Sequence, residues 1–562
     1  MSGYLSKVRR LLASALVIGI CAQPALAQDR VGARLGAASN FGQATSDRMM
    51  QAAIALGVRD FRDAVYWQSV EQAGGAYDFA GPRVVYPDTI GAFGARMSLT
   101  VNNPHERYDE GNTPYSAEAV GAFARFAATA AQRFAAVDAV EVGNEMNSQR
   151  FASGPGWDGT LEERAAAYVA LLAETSTHVR GLEKPMRILG GAAESIPLAW
   201  FDALFEQGAA KFVDAWVVHP YSVAPEDLPA MIDLLRLRPE AREVPLEITE
   251  FGWRSGQEAP AYLIKSHCQM SLSGVTRAVW YPLNPRGDGY APLIGEDFEP
   301  TDVGKTFALI QQYFVGQSVA PVSDDPLVFG CRYGENAMVL WGANRDVVIR
   351  DPNIRAVLPN GAEWGGEKIT LDEDTPVILV SAEGALGEEV QLGQSPVLAD
   401  TRFQFAFDPA QRGSNFSWHV RKGGAERPMQ LRRGQEKNGV PWTPYLGTDL
   451  DGLTRAGPGW VLPGLHGDAP LDVMVRHVSP KARDVIVQVD ISPADRSTDG
   501  VTLDVILNGD VLIHEVVTSA QEFNLGPIAV GKADQVDVIV GPGETSQGDV
   551  TQLRVRMYRT TR

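Results

Sequence analysis

Cysteine is scarce in this chain, three residues in 562. One of the three, Cys21, falls in a leader-like segment, so a fold of this length cannot depend on disulfides. Isolated buried thiols are the expected state of Cys268 and Cys331, and neither has neighbours at metal-ligand spacing. Basic residues are also short, with 50 Lys and Arg against 69 Asp and Glu for a net charge of −19. An acidic surface opposes phosphate backbones, which argues against nucleic acid as a partner. No glycine-rich phosphate loop follows the first β-type run, which weakens a nucleotide-binding open sheet. No convincing run of oxygen ligands suggests calcium. Past the leader, no apolar stretch is long enough to span a bilayer. No repeat or low-complexity tract stands out. No metal and no organic cofactor are expected.

The first 27 residues read as an export signal. Lys7, Arg9 and Arg10 form a basic start, Leu11 to Ile20 an apolar stretch too short to span, and Ala25-Leu26-Ala27 a small-x-small cleavage pattern. Ile20 stands where a lipidated Cys21 would need a small residue. The expected product is exported, periplasmic or extracellular, with a charge of about −22. About 535 residues remain, too many for one core and enough for two or three domains.

From Ala33 to about Tyr313, short β-type runs alternate with amphipathic helical stretches. Eight β-then-α units in about 280 residues match the rhythm of an α/β fold of the (β/α)8 TIM barrel type, placed over residues 28–314. After Phe314 the helical period stops. Short strands over 315–388 predict a small β-sandwich packed on the barrel, and Gly384 to Gly393 a linker. Longer alternating strands over 395–562, one followed by an Asn508-Gly509 turn, predict a C-terminal all-β, jelly-roll-like domain.

Two strings carry the chemistry: Val140-Glu141-Val142-Gly143-Asn144-Glu145-Met146-Asn147 and Leu246-Glu247-Ile248-Thr249-Glu250-Phe251-Gly252-Trp253. Each is an apolar run ending in a carboxylate, the pattern of a buried barrel strand that delivers a side chain to the mouth. Two carboxylates facing across a cleft are the minimum equipment for cleaving a glycosidic bond. Glu141, on the same strand face as Glu145 but deeper, is expected to be structural and partnered by Arg62. Glu247, of opposite parity to Glu250, is expected to face the helices.

These strings resemble the clan A glycoside hydrolases, and within them family 39. The stretch Gly57-Val58-Arg59-Asp60-Phe61-Arg62, then Trp67-Gln68-Ser69-Val70-Glu71 and Gly75-Ala76-Tyr77-Asp78-Phe79, resembles that family's second-strand region. Leu293-Ile294-Gly295 resembles its exit from the eighth strand. Two departures flank the first motif: the family commonly has an aromatic where Gly143 sits and proline where Met146 sits. The resemblance, over roughly residues 31–388, implies a secreted retaining β-glycoside hydrolase with Glu250 as nucleophile and Glu145 as acid/base. Their environments must differ, so that one holds its proton and the other loses it.

Around this pair the expected substrate-binding residues are Asn144 for a 2-hydroxyl, His219 and Tyr221 at the end of the sixth strand with the Tyr221 hydroxyl orienting Glu250, and Arg62 as anchor of the carboxylates. Trp280 is expected as the flat floor of the subsite for the cleaved sugar. Asn102, Asn103, His105, Trp253 and Tyr290 are candidates for flanking contacts. In the C-terminal domain, Trp418, Trp442 and Trp460 read as core before they read as a glycan platform. The implied partner is a polysaccharide or oligosaccharide. A non-catalytic glycan-binding or export protein on the same scaffold, and a transglycosylase, remain open alternatives.

Overall fold

The computed structural model describes residues 30–560 apart from 45, 367, 385, 388 and 409–413. The expected export signal lies outside the described residues.

Eight parallel strands close into a barrel: β1 (Arg34–Ala38), β2 (Asp60–Asp63), β3 (Arg96–Val101), β4 (Val137–Val142), β5 (Arg187–Glu194), β6 (Ala215–His219), β7 (Leu246–Phe251) and β8 (Val275–Trp280). They pair in chain order, and β8 closes on β1 through Arg34 opposite Arg277 and Ala37 opposite Trp280. Helices between the strands cover the outside. Helix Ala117–Arg133 starts at Ser116, whose side chain accepts from the Ala119 amide, and buries Ala122, Phe123, Phe126 and Ala130. Helix Leu161–Arg180 opens with a capping box between Thr160 and Glu163.

The barrel interior is layered. At its N-terminal floor, Arg277 from β8 bonds Asp60 of β2 (2.7 Å) and Ser98 of β3 (3.0 Å) and meets Glu247 of β7 at 3.3 Å. Glu247 therefore lies inside the barrel rather than toward the helices. Beside this charged layer, Ala139, Leu189, Ala215 and Val217 form a small apolar plug. The inward residues run in twos along the strands, as 60 and 62, 139 and 141, 215, 217 and 219, and 247 and 249.

Beyond the barrel, strand Ala337–Gly342 splits its faces by parity. Ala337, Val339 and Trp341 join the barrel core, while Met338 and Leu340 pack on a second sheet with Val347 and Leu371. This side sandwich is tied to helix Ala259–Leu272 by a disulfide between Cys268 and Cys331, whose Cα atoms are 5.7 Å apart. The expectation of isolated thiols is thus corrected. A helix and a strand 63 residues apart in sequence meet only in three dimensions. The remaining strands form two antiparallel sheets of eight and seven strands over a shared apolar core that includes Val487, Val489, Leu503, Val505 and Val555. Among the described residues, no helix is long and apolar enough to cross a membrane.

Candidate active site

A cavity of about 550 Å³ opens at the C-terminal ends of the barrel strands, and Glu145, Glu250, Asn144, His219, Tyr221 and Arg62 all line it. Strand β4 ends in Gly143 at φ +88° and delivers Glu145 at φ +47°. Both values lie in the left-handed region, and the second is a strained place for a side chain other than glycine. The turn is held from beneath: Met146 N donates to Ala192 O (3.1 Å), and Tyr168 Oη donates to Val142 O (2.8 Å). Glu250 reaches the cavity because the pairing of β7 with β8 shifts register between Ile248 and Phe251. That shift breaks the two-residue alternation which turns Glu247 and Thr249 inward.

Glu250 is enclosed by donors. Arg62 bonds its Oε1, and Tyr221 donates to its Oε2 at 2.7 Å. Burial opposes its charge. However, the Arg62 guanidinium, the His219 ring and the Tyr221 hydroxyl together hold its carboxyl below the usual carboxylate range. Arg62 also makes a two-pronged contact with Glu141 (2.9 and 2.7 Å) and donates to Asn144 Oδ1 (2.8 Å). Glu141 is fully buried, and despite that burial Arg62 keeps it ionised.

Glu145 is approached by His219, whose Nδ1 lies 3.1 Å from its Oε1. On the other side of the ring, Nε2 is 2.9 Å from Thr249 Oγ1, which donates in turn to Glu141 (3.2 Å). Burial alone would lower the imidazole. The Glu250 charge and the hydrogen bonds to Glu141 and Glu145 outweigh it and raise His219 to about 9. Protonated, its two N–H groups point at Glu145 and at the Thr249–Glu141 chain.

The donor atoms of Glu145, His219 and Glu250 lie within 4.8 Å of one another, close enough to hold a metal ion. In the structure the carboxylate oxygens of Glu250 and Glu145 are already engaged, by Arg62 and Tyr221 and by His219 respectively.

Other expected residues fall elsewhere. Trp280 is fully buried on the outer face of β8, against Phe251 (5.2 Å) and Tyr262 (6.3 Å), so it cannot be a sugar floor. The inward series on β8 passes through Arg277 and Val279 to Tyr281, which lines the cavity. Counting in twos from Arg277 finds it. Asn103 does not line the cavity, whereas Asn102 does. His105 is buried against Trp67 and Tyr108, and Trp253 stacks on Tyr262. Tyr290 lines the cavity, 5.1 Å from Tyr221. Several further lining residues escaped the sequence reading, among them Glu194, Arg150 and Arg286. Glu194 ends β5, and burial and the neighbouring Glu145 charge raise its carboxyl. Arg150 follows the first motif, and Arg286 stacks on Tyr281. Trp442 also lines the cavity, although it comes from the C-terminal sandwich.

No family model and no curated protein matches the chain. Among solved structures it is similar to a family 39 glycoside hydrolase from the gut symbiont Bacteroides cellulosilyticus WH2. The TM-score is 0.52 at 17% identity, over 63% of this chain and 81% of that one. A glycoside hydrolase family 30 endoxylanase from Clostridium papyrosolvens C71 gives 0.48 at 13% identity, over 63% and 98%. A monomeric β-xylosidase from Caulobacter crescentus CB15 gives 0.42 at 13%, over 92% and 97%. At these identities the first likeness is one of fold, an eight-stranded parallel barrel with appended β-structure, and the other two add nothing to it.

Proposed function

We propose that the protein is an exported retaining β-glycoside hydrolase acting on an oligosaccharide or polysaccharide, with Glu250 as nucleophile and Glu145 as acid/base. One observation carries this reading. Two carboxylates, one from the end of β4 and one from the end of β7, bring oxygens within 4.8 Å of each other in the barrel mouth. Retaining enzymes hold their carboxyl groups about 5–5.5 Å apart, whereas inverting ones leave about 6.5–9.5 Å for a water molecule.

In the first step a Glu250 oxygen attacks the anomeric carbon while the leaving oxygen takes the proton of Glu145. In the second, Glu145 takes a proton from water, whose oxygen attacks the same carbon and releases Glu250. Arg62 and Tyr221 keep Glu250 charged and aimed. Asn144 Oδ1 accepts from Arg62, which leaves its Nδ2 as the donor for a sugar hydroxyl. The Cys268–Cys331 bond suits an oxidising compartment and supports export.

Release of reducing ends from a panel of β-linked polysaccharides and aryl β-glycosides tests the reading. Wild type is expected to be active and Glu250→Gln inactive with its fold intact. Glu145→Ala is expected to slow substrates with poor leaving groups far more than activated aryl glycosides, because only the former need protonation. Equal release by wild type and Glu250→Gln would remove Glu250 from the mechanism.

A further inference from the structure

The C-terminal sandwich contains three tryptophans with different surroundings. Trp418 is buried in the sandwich core against Phe405, and Trp460 lies over Gly457 at a strand turn. Trp442 is half-buried and lines the barrel cavity.

The segment that presents it is docked by built contacts. Leu198 N, at the start of the helix after β5, donates to Arg433 O (2.9 Å). The chain then turns through Gly434 at φ +75° and Gln435 at φ +59°. A Cβ at 434 would lie 2.5 Å from Thr443 O, so glycine is required there. Gln435 N donates to Pro441 O (2.8 Å), which closes a small loop immediately before Trp442.

The Gln435 side chain is buried and exchanges two hydrogen bonds with Asn147. Its Nε2 donates to Asn147 O (2.7 Å), and its Oε1 accepts from Asn147 Nδ2 (2.9 Å). Asn147 is fully buried and accepts from Glu194 N at 2.8 Å. Buried amides are costly unless every partner is in place, so this exchange fixes where the loop sits. It sits on the residue two positions after Glu145.

We propose that the C-terminal sandwich forms one wall of the catalytic cleft, in which Trp442 is a stacking surface for the sugar on the leaving-group side of the scissile bond. The proposal rests on the hydrolase reading above. The side follows from chemistry: the group that protonates the leaving oxygen stands next to the leaving sugar, and the loop is anchored to the turn that carries that group. The indole offers a flat apolar face to the C–H face of a pyranose ring. On this view the sandwich is part of the substrate site rather than a separate glycan-binding appendage.

The test uses the full chain. kcat/KM is measured for wild type, Trp442→Ala, Trp442→Leu and Trp442→Phe on two probes. One is a β-linked oligosaccharide of the sugar that wild type accepts, and the other is the matching β-glycosyl fluoride, which has no leaving sugar. The oligosaccharide-to-fluoride ratio is expected to fall by about tenfold or more in Trp442→Ala and to recover largely in Trp442→Phe. Trp442→Leu keeps apolar volume without the flat face and is expected to fall like the alanine variant, even if the latter folds poorly. A ratio within about twofold of wild type in both, or an equal loss on the two probes, overturns the proposal. A wild type inert on every substrate overturns the hydrolase reading and this one with it.

Discussion

His219 touches both halves of the carboxylate system, through Glu145 on one ring nitrogen and the Thr249–Glu141 chain on the other. Its charge answers that of Glu250, so its raised value belongs to the folded state. A group raised on folding stabilises the fold below its ordinary value and loses that contribution as pH climbs through the raised one. For His219 that window runs from 6.5 to about 9. His219→Asn is therefore expected to lower Tm most at and below pH 6.5, with the gap from wild type shrinking toward pH 9. A gap that stays constant across this range would mean that the ring is not charged in the fold. At Gly143, a Cβ would lie 2.5 Å from Met146 Cγ. The two departures from the family 39 pattern are thus one packing exchange, in which a methionine side chain lies over a residue that has none.

The strands show which parts of the fold were readable. The eight β-then-α units follow from local periodicity, and Arg62, Asn144, Glu145, His219, Tyr221 and Glu250 all lie on barrel strands or just past their ends and line one cavity. What failed was parity near the ends and contact across long separations. Trp280 lies one residue out of phase with Tyr281, which is the residue that lines the cavity. Opposite parity to Glu250 points Glu247 outward, but the register shift on β7 lets both face in. The disulfide was illegible because no local pattern places Cys331 beside the helix carrying Cys268. That bond closes a loop of 63 residues between barrel and side sandwich. Cys331→Ser is expected to cost about 2–4 kcal/mol, through the greater freedom of the unfolded chain. Thermal unfolding with and without reductant checks this, since only wild type should respond to reduction.

At the scale of the whole molecule, ion pairs hold the modules in register. Arg554 of the C-terminal sandwich makes a two-pronged pair with Glu373 of the side sandwich (both 2.8 Å) and bonds buried Asp400 (2.6 Å). Arg554→Met leaves Asp400 without this partner inside the protein. The expected cost is about 2–3 kcal/mol, less than for a fully buried pair because Glu373 is one-third exposed. Calorimetry is expected to show the sandwich melting ahead of the barrel in this variant. A single transition at the wild-type temperature would show that the pair does not couple them. The Gln435–Asn147 exchange has a different consequence, which concerns the order of synthesis. Glu145 and Glu250 emerge early, but the wall that meets them at Trp442 is made about 190 residues after Glu250. Domains fold roughly in the order in which they are made. A partly made chain therefore holds both acids in an unfinished cleft, and the cleft is completed only when nearly the whole polypeptide is present.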